Sequence, residues 1–160
     1  MSIPLGIQAE LSYLSTGTRS TWGALVNGIN TGSAPSLTAF NSARDVTLNL
    51  TSGEADVTTR GGGGWKLTAQ ALWDCSIEIE SPWNPSDAGF SKFLGCHLTR
   101  TPIACAVLDG PHGTSGSQGV WADFAVMEFT REENEDKEQV AKIKLVPTLS
   151  AVAPEWVQAS

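Results

Sequence analysis

Glu78 and Glu80 lie two residues apart in the stretch WDCSIEIESPW, residues 73–83, and form the simplest chemical pair in the chain. On a strand, side chains two apart share a face and sit about 6.5 to 7 Å apart at the backbone. Carboxyl pairs that cleave glycosidic bonds span a similar distance. Any alternating strand produces that spacing, however, so a polar strand face is the favoured reading. The serine-rich HGTSGSQG, residues 112–119, fails as a nucleophile elbow, because Ser117 stands where the second glycine is needed. His97 and His112 have no orienting motif around them. GGGGWK resembles a phosphate loop only superficially: Trp65 replaces the glycine before the lysine, and a strand follows instead of a helix. Glu132, Glu133, Glu135 and Asp136 lack the spacing that wraps a loop around calcium. Cys75, Cys96 and Cys105 are odd in number and without a CxxC pair, which suits buried small hydrophobes better than a disulfide framework or a zinc site. The expectation is therefore no catalysis, no cofactor and no metal.

Those residues must be carried by a chain of 160 residues, 41% hydrophobic and 17% charged, with a net charge of −7. A single domain of this length buries roughly 70% of the surface its unfolded chain exposes, enough for a core without staples. The acidic balance argues against adhesive nucleic-acid binding, which needs a basic stripe, and against attraction to anionic membrane. It is compatible with a surface past which nucleic acid slides. The start, MSIPLGIQAELSY, lacks the basic end and apolar run of a secretory signal, so folding in the cytoplasm is expected.

The periodicities describe a mainly β chain. LGIQAELSYLS reads as a strand. Thr16 to about residue 42 is rich in Ser, Thr, Gly and Asn and reads as a long arm with little regular structure. ARDVTLNLTS alternates cleanly, with Val46, Leu48 and Leu50 on one face. WKLTAQAL and WDCSIEIESPW follow as strand, with Trp73, Cys75, Ile77, Ile79 and Trp83 inward and Asp74, Ser76, Glu78 and Glu80 outward. Pro82 and Pro85 end the run. Ser86 is the expected N-cap of one short helix, with Phe90, Phe93 and Leu94 at helical spacing. PIACAVLDG is a buried strand. GVWADFAVMEFTR is apolar on both faces, with Trp121, Ala125, Met127 and Phe129 on one and Val120, Phe124 and Val126 on the other. Such a strand is covered on both sides, inside a sandwich or by another subunit. QVAKIKLVP returns with Ala141, Ile143 and Leu145 inward, leaving Lys142 and Lys144 to pair with acids on a neighbouring strand. An arm from about residue 150 carries Trp156. The pattern gives seven or eight strands with one helix packed on them.

Trp73, Trp83 and Trp121 lie on faces read as inward. Trp22, Trp65 and Trp156 lie in loops or tails, where an exposed aromatic commonly anchors a partner. A sugar-binding β-sandwich module is one reading of such aromatics, although it usually carries a secretion signal.

The stretch ARDVTLNLTSGEADVTTRGGGGWKLTAQAL, the acidic strand, the DAGF helix start, AVLDG and GVWADFAVMEFTR resemble the tail tube proteins of long, non-contractile-tailed bacteriophages and related prophages. The likeness runs from about Ala43 to Thr148 and is carried mostly by GEADVTTR with its following Gly-Trp and by DAGF. It implies a β-sandwich or split β-barrel subunit with one short helix, forming hexameric rings that stack into a hollow tube through which DNA leaves the head. The implied role is structural. The implied partners are further copies of the chain, a length-measuring protein, an initiator and a terminator; the implied place is the virion tail.

On that resemblance Asp74, Ser76, Glu78 and Glu80 are candidates to face the DNA channel, the outer tube surface being the alternative. Thr58, Arg60, Gly61, Gly62, Gly63, Gly64 and Trp65 are candidates for an inter-ring hairpin that orders on stacking, since glycines lose much backbone entropy when fixed. Trp22, Val120, Phe124, Val126 and Trp156 complete the candidate contacts between subunits. Other ring-forming tail parts, such as a contractile inner tube, a distal-tail or a head-completion protein, share the implied ancestry.

Overall fold

The computed structural model describes residues 6, 9–18, 24–26, 29–31 and 36–158, with no side-chain description for 24–26 and 29–31. In chain order the strands are β1 (Glu10–Tyr13), β2 (Ala24–Val26), β3 (Ile29–Thr31), β4 (Thr38–Ala39), β5 (Asp45–Asp56), β6 (Thr68–Pro82), β7 (Ile103–Leu108), β8 (Gln118–Glu132), β9 (Val140–Pro147) and β10 (Glu155–Gln158). One helix, α1 (Ala88–Thr99), lies between β6 and β7. The mainly β architecture, with one α-helix among the described residues, matches the pattern of the sequence. β2, β3 and β4 arise in the arm that was read as irregular: β2 and β3 form a small hairpin, and β4 pairs with β1. Strands of two or three residues are too short for alternation to reveal them.

The large sheet is antiparallel throughout, in the order β4-β1-β7-β8-β9-β6-β5. β8 is its spine. Its first half pairs with β7 on one edge and β10 on the other, and its second half pairs with β9. The sheet curls, so that Leu11 of β1 and Val46 of β5, from distant positions in the strand order, line one cleft. The inside of this curl holds Ile77, Ile79, Ile103, Phe124, Ile143 and Leu145 beneath Phe90 and Phe93 of α1. A smaller cluster on the other side of β7 and β8 gathers Trp121, Ala104, Ala106, Leu108 and Val157.

Helix α1 starts because Asp87, not Ser86, caps it: the Phe90 N–H donates to Asp87 Oδ2 at 3.0 Å. The Ser86 N–H donates to Asn84 Oδ1 instead, which places Ser86 in the preceding turn. Trp83 packs edge-on against Phe90 and Phe129, with ring centroids 4.9 and 6.0 Å away.

Two side-chain assignments change for a reason visible in the backbone. A bulge between Val126 and Glu128 inserts Met127 and reverses the alternation of β8. Phe129 therefore turns to the helix side, and Met127 is exposed. Trp73, read as inward, is 80% exposed. It lies on the Thr68–Ser76 part of β6, which pairs with β5 alone, whereas Ile77–Pro82 is flanked by β9 as well. The candidate contacts Val120, Phe124 and Val126 are buried inside the chain's own core, so the curled sheet and its helix, rather than another subunit, cover them. Cys96 and Cys105 are buried, Cys75 is half-buried, and all three are free thiols whose pKa burial pushes up.

Candidate functional site

The half-sheet β5-β6-β9-β8 has an apolar face under the helix and a polar face that no described element covers. Alternation decides this locally: Ile77 and Ile79 point into the core, so Ser76, Glu78 and Glu80 point away. Register then sets the neighbours. Glu78 lies opposite Thr47 and Lys144, and Glu80 lies opposite Asp45 and Lys142. Further along, Ser76 faces Asn49 and Asp74 faces Thr51. On β8, Glu128 stands across from Lys144 and Thr130 across from Lys142. The face is thus striped, with a row of lysines on β9 between acidic rows on β6 and β8. A broad depression of about 480 Å³ runs over it.

Of the expected pairings with acids on neighbouring strands, Lys142 makes an ion pair, while Lys144 stands opposite Glu78 and Glu128 in register without one among the described residues. Lys142 Nζ donates to Glu132 Oε1 at 2.8 Å. That hydrogen bond and the Glu132 charge, with a smaller contribution from Glu80, raise the Lys142 pKa. Asp45 and Glu80 are like charges directly opposite one another, a destabilising cross-strand pair. Lys142 on the far side of Glu80 offsets that repulsion. Glu78 and Glu80 each look across at a lysine, which is the geometry of a charged surface rather than of an acid-base pair. Among the described residues no group of three or more His, Cys, Asp and Glu side chains is placed to hold a metal.

The two histidines do structural work that their sequence context did not signal. His97 lies in the last turn of α1, and its Nδ1 meets the Val126 carbonyl at 2.9 Å, tying the helix to β8 at the bulge. His112 Nδ1 meets Glu10 Oε1, which also accepts from the Ser12 hydroxyl. A Ser-His-acid triad needs the acid and the nucleophile on opposite ring nitrogens. Here Ser12 Oγ and Glu10 approach the same Nδ1, so the three residues form a clasp between β1 and the β7–β8 loop. Burial raises the Glu10 carboxyl pKa, but hydrogen bonds from Ser12 and His112 outweigh it and hold the pKa below its usual value. The clasp joins residues about a hundred positions apart, so no spacing in the sequence announces it.

Beyond β9's reach, β5 and β6 continue as a two-stranded hairpin. Thr68–Ser76 spans about 25 Å at the usual rise of a strand. The tip is a hydrogen-bonded turn. Thr59 to Gly62 closes a 3-10 turn, and Gly63 and Gly64 take left-handed φ of 63° and 86°, which a side chain would oppose. Thr58 Oγ1 accepts from the Leu67 N–H at 2.9 Å and clamps the base of the turn. The candidates Thr58, Arg60, Gly61, Gly62, Gly63, Gly64 and Trp65 all sit on this tip, and Trp65 is 77% exposed. Leu72 is 87% exposed on the face that carries Asp74 and Glu78. Its parity in ALWDCSIEIE was the available signal: it is the apolar member of an otherwise polar row.

Trp156 proves to be anchored to its own chain. β10 pairs with the start of β8, Val157 is buried, and the Trp156 indole N–H donates to Gln118 Oε1 at 3.2 Å. The ring remains half-exposed beside an apolar cleft that Leu50, Trp73, Val120 and Pro147 also line. Trp22 lies outside the described residues. Two edges of the half-sheet pair with no described strand: the outer edge of β5 along its twelve residues, and the edge of β8 opposite β9 beyond Phe124.

No protein-family model matches the chain, and no curated protein matches it. Solved structures do. A chain of the tail of an empty gene transfer agent particle, refined with helical C6 symmetry, superposes with a TM-score of 0.65 at 11% identity over 91% of this chain and 95% of that one. A chain of the SPP1 tail tube superposes at 0.64 and 11% identity, covering 98% of this chain and 79% of that one. A chain of the anti-feeding prophage baseplate gives 0.54 at 10% identity over nearly the full length of both. At such identities the likeness establishes a shared tail-tube-like fold.

Proposed function

We propose that this chain is a structural subunit of a virion tail tube, six copies forming a ring and rings stacking into a channel through which DNA leaves the head. The observation that supports the reading is the half-sheet β5-β6-β9-β8, whose polar face no described element covers and whose two outer edges pair with no described strand. Exposed strand edges this long invite pairing. In a ring, β5 of one subunit meets the free part of β8 of the next, and six half-sheets close into one barrel with no edge left. The face turned to the channel is then the striped one, where Asp45, Asp74, Glu78, Glu80, Glu128 and Glu132 outnumber Lys142 and Lys144. A net negative wall repels phosphate and lets DNA slide. The tip Thr58–Trp65 and the anchored Trp156 reach toward neighbouring subunits. Partners are further copies of the chain, with a length-measuring protein, an initiator and a terminator at the tube's ends. The subunit is made in the host cytoplasm and works in the virion.

The test is electron microscopy of the concentrated protein, with sedimentation of the same sample. Hollow stacked rings with six-fold symmetry are the expected outcome. A monomer at every concentration that binds an oligosaccharide would overturn the reading in favour of a sugar-binding module. The match to a baseplate chain favours one second reading, a single ring of a baseplate or injection device. That reading predicts rings that do not stack.

A further inference from the structure

The distal hairpin is an unpartnered piece of sheet. From Thr68 to Ser76 β6 pairs with β5 only, and two-stranded hairpins standing alone in water are marginal. Leu72 and Trp73 are consecutive, so they point to opposite faces of this hairpin, and they are 87% and 80% exposed. The closing turn, residues 58–66, is basic, with Asp56 at its base held by the Thr58 N–H: Arg60 and Lys66 are the charged residues between Val57 and Leu67, and neither makes an ion pair among the described residues.

The opposite end of the same half-sheet carries the opposite charge. Register places Pro82 of β6 beside Val140 and Glu132 beside Val140, so the β8–β9 turn lies at the end of β6 farthest from the hairpin tip. That turn reads EENEDKE over residues 132–138, all exposed. Glu132, Glu133 and Glu138 are engaged by Lys142, Arg131 and Arg44, while Glu135 and Asp136 have no ion-pair partner among the described residues.

We infer that the β5–β6 hairpin docks on a second copy of this chain placed end to end along the strand direction, with Arg60 and Lys66 of one copy meeting Glu135 and Asp136 of the other. Leu72 and Trp73 are covered in the same contact, one from each face. A two-fold arrangement at this arm would set the basic tip against its own image, so charge favours the head-to-tail arrangement. Such contacts do not close on themselves and propagate into a filament. The acidic row of β6 gives way to Leu72 at the point where water-facing surface becomes covered surface. This inference rests on the tube reading and identifies the surface each ring offers the next.

Three variants test it: tip-reversed Arg60→Glu with Lys66→Glu, turn-reversed Glu135→Lys with Asp136→Lys, and the chain carrying all four changes. All sites are exposed, and circular dichroism checks that each variant folds. Tube assembly is followed by sedimentation and electron microscopy. Either pair alone should raise the protein concentration needed for tubes about tenfold or more, and the fourfold variant should recover most of that loss, since like-charge contacts are costly and swapped charges restore complementarity. A tip-reversed chain that stacks like the parent overturns the docking while leaving the tube reading intact. Failure of the fourfold variant to recover, when each pair alone disrupts stacking, overturns the pairing of these two ends. A parent chain that never forms rings removes the tube reading itself, and the docking falls with it.

Discussion

Trp73 and Ile77 lie four residues apart on one strand and share a face, yet Ile77 is fully buried and Trp73 is 80% exposed. The body of the half-sheet around Ile77 has β9 beside it and α1 above it. The distal hairpin around Trp73 has neither. Alternation runs unbroken from Trp73 to Ile77, the register shift of the hairpin falling beyond Trp73, so alternation alone does not decide burial; the presence of a second layer does. In the body, apolar side chains stabilise the subunit. In the hairpin, side chains of the same kind are left exposed.

Truncation should separate the two regions most sharply. Phe90→Ala, under the helix, should cost about 3–5 kcal/mol of unfolding free energy, whereas Trp73→Ala should stay within about 0.5 kcal/mol in the isolated subunit. Urea unfolding of both variants checks this, and equal losses would erase the distinction between body and hairpin. The Trp73 variant should then form tubes poorly although it folds normally, and Trp65→Ala should behave likewise. Normal tube yield from both would take the hairpin out of the stacking contact.

A smaller effect concerns how the body is closed. Asp87→Ala removes the cap of α1 and should cost about 0.5–2 kcal/mol, while Ser86→Ala should be close to neutral. The reverse order would return the cap to Ser86. On the polar face, Glu78→Lys with Glu80→Lys sets four lysines side by side and should cost roughly 0.2–1 kcal/mol per opposed lysine pair, partly offset by relief of the Asp45–Glu80 repulsion. If the subunits still assemble, DNA passage through the resulting tubes should slow. Passage equal to the parent's would remove the channel assignment of this face.

The smallest expected effect is in the clasp. Glu10 has its pKa held below the ordinary carboxylate value in the folded chain. Its contribution is therefore fully present above the unfolded-state pKa and is lost as pH falls through the lower folded-state value. Stability measured from pH 6 down to pH 3 should fall less steeply in Glu10→Gln than in the parent. Identical slopes would assign the acid sensitivity to other carboxylates.

Much of the body was legible because it is built from local repeats. The inward faces of β5, β6 and β9, the helix with Phe90 and Phe93, the buried β7 and the lysine stripe on β9 each follow from spacing within a dozen residues. The striped face was legible for the same reason: once Ile77 and Ile79 point inward, Glu78 and Glu80 must point out. The bulge at Met127 was not, since one inserted residue in a strand that is apolar on both faces leaves no break in pattern. Nor was the pairing of β10 with β8, which anchors a tail that reads as a free arm. The exposed Leu72 was written in the parity of its strand but hidden by the apolar residues around it.

By itself, the sequence determined which side chains share a face, because the two-residue period of a strand is a property of the local backbone. It also determined the acidic balance and the absence of recognisable catalytic motifs. Only the tertiary structure decided which faces are covered, where the sheet's second layer stops, and which strand edges are left open. Those depend on elements brought together from distant parts of the chain, such as α1 over β6 or His112 against Glu10, and no local spacing encodes them.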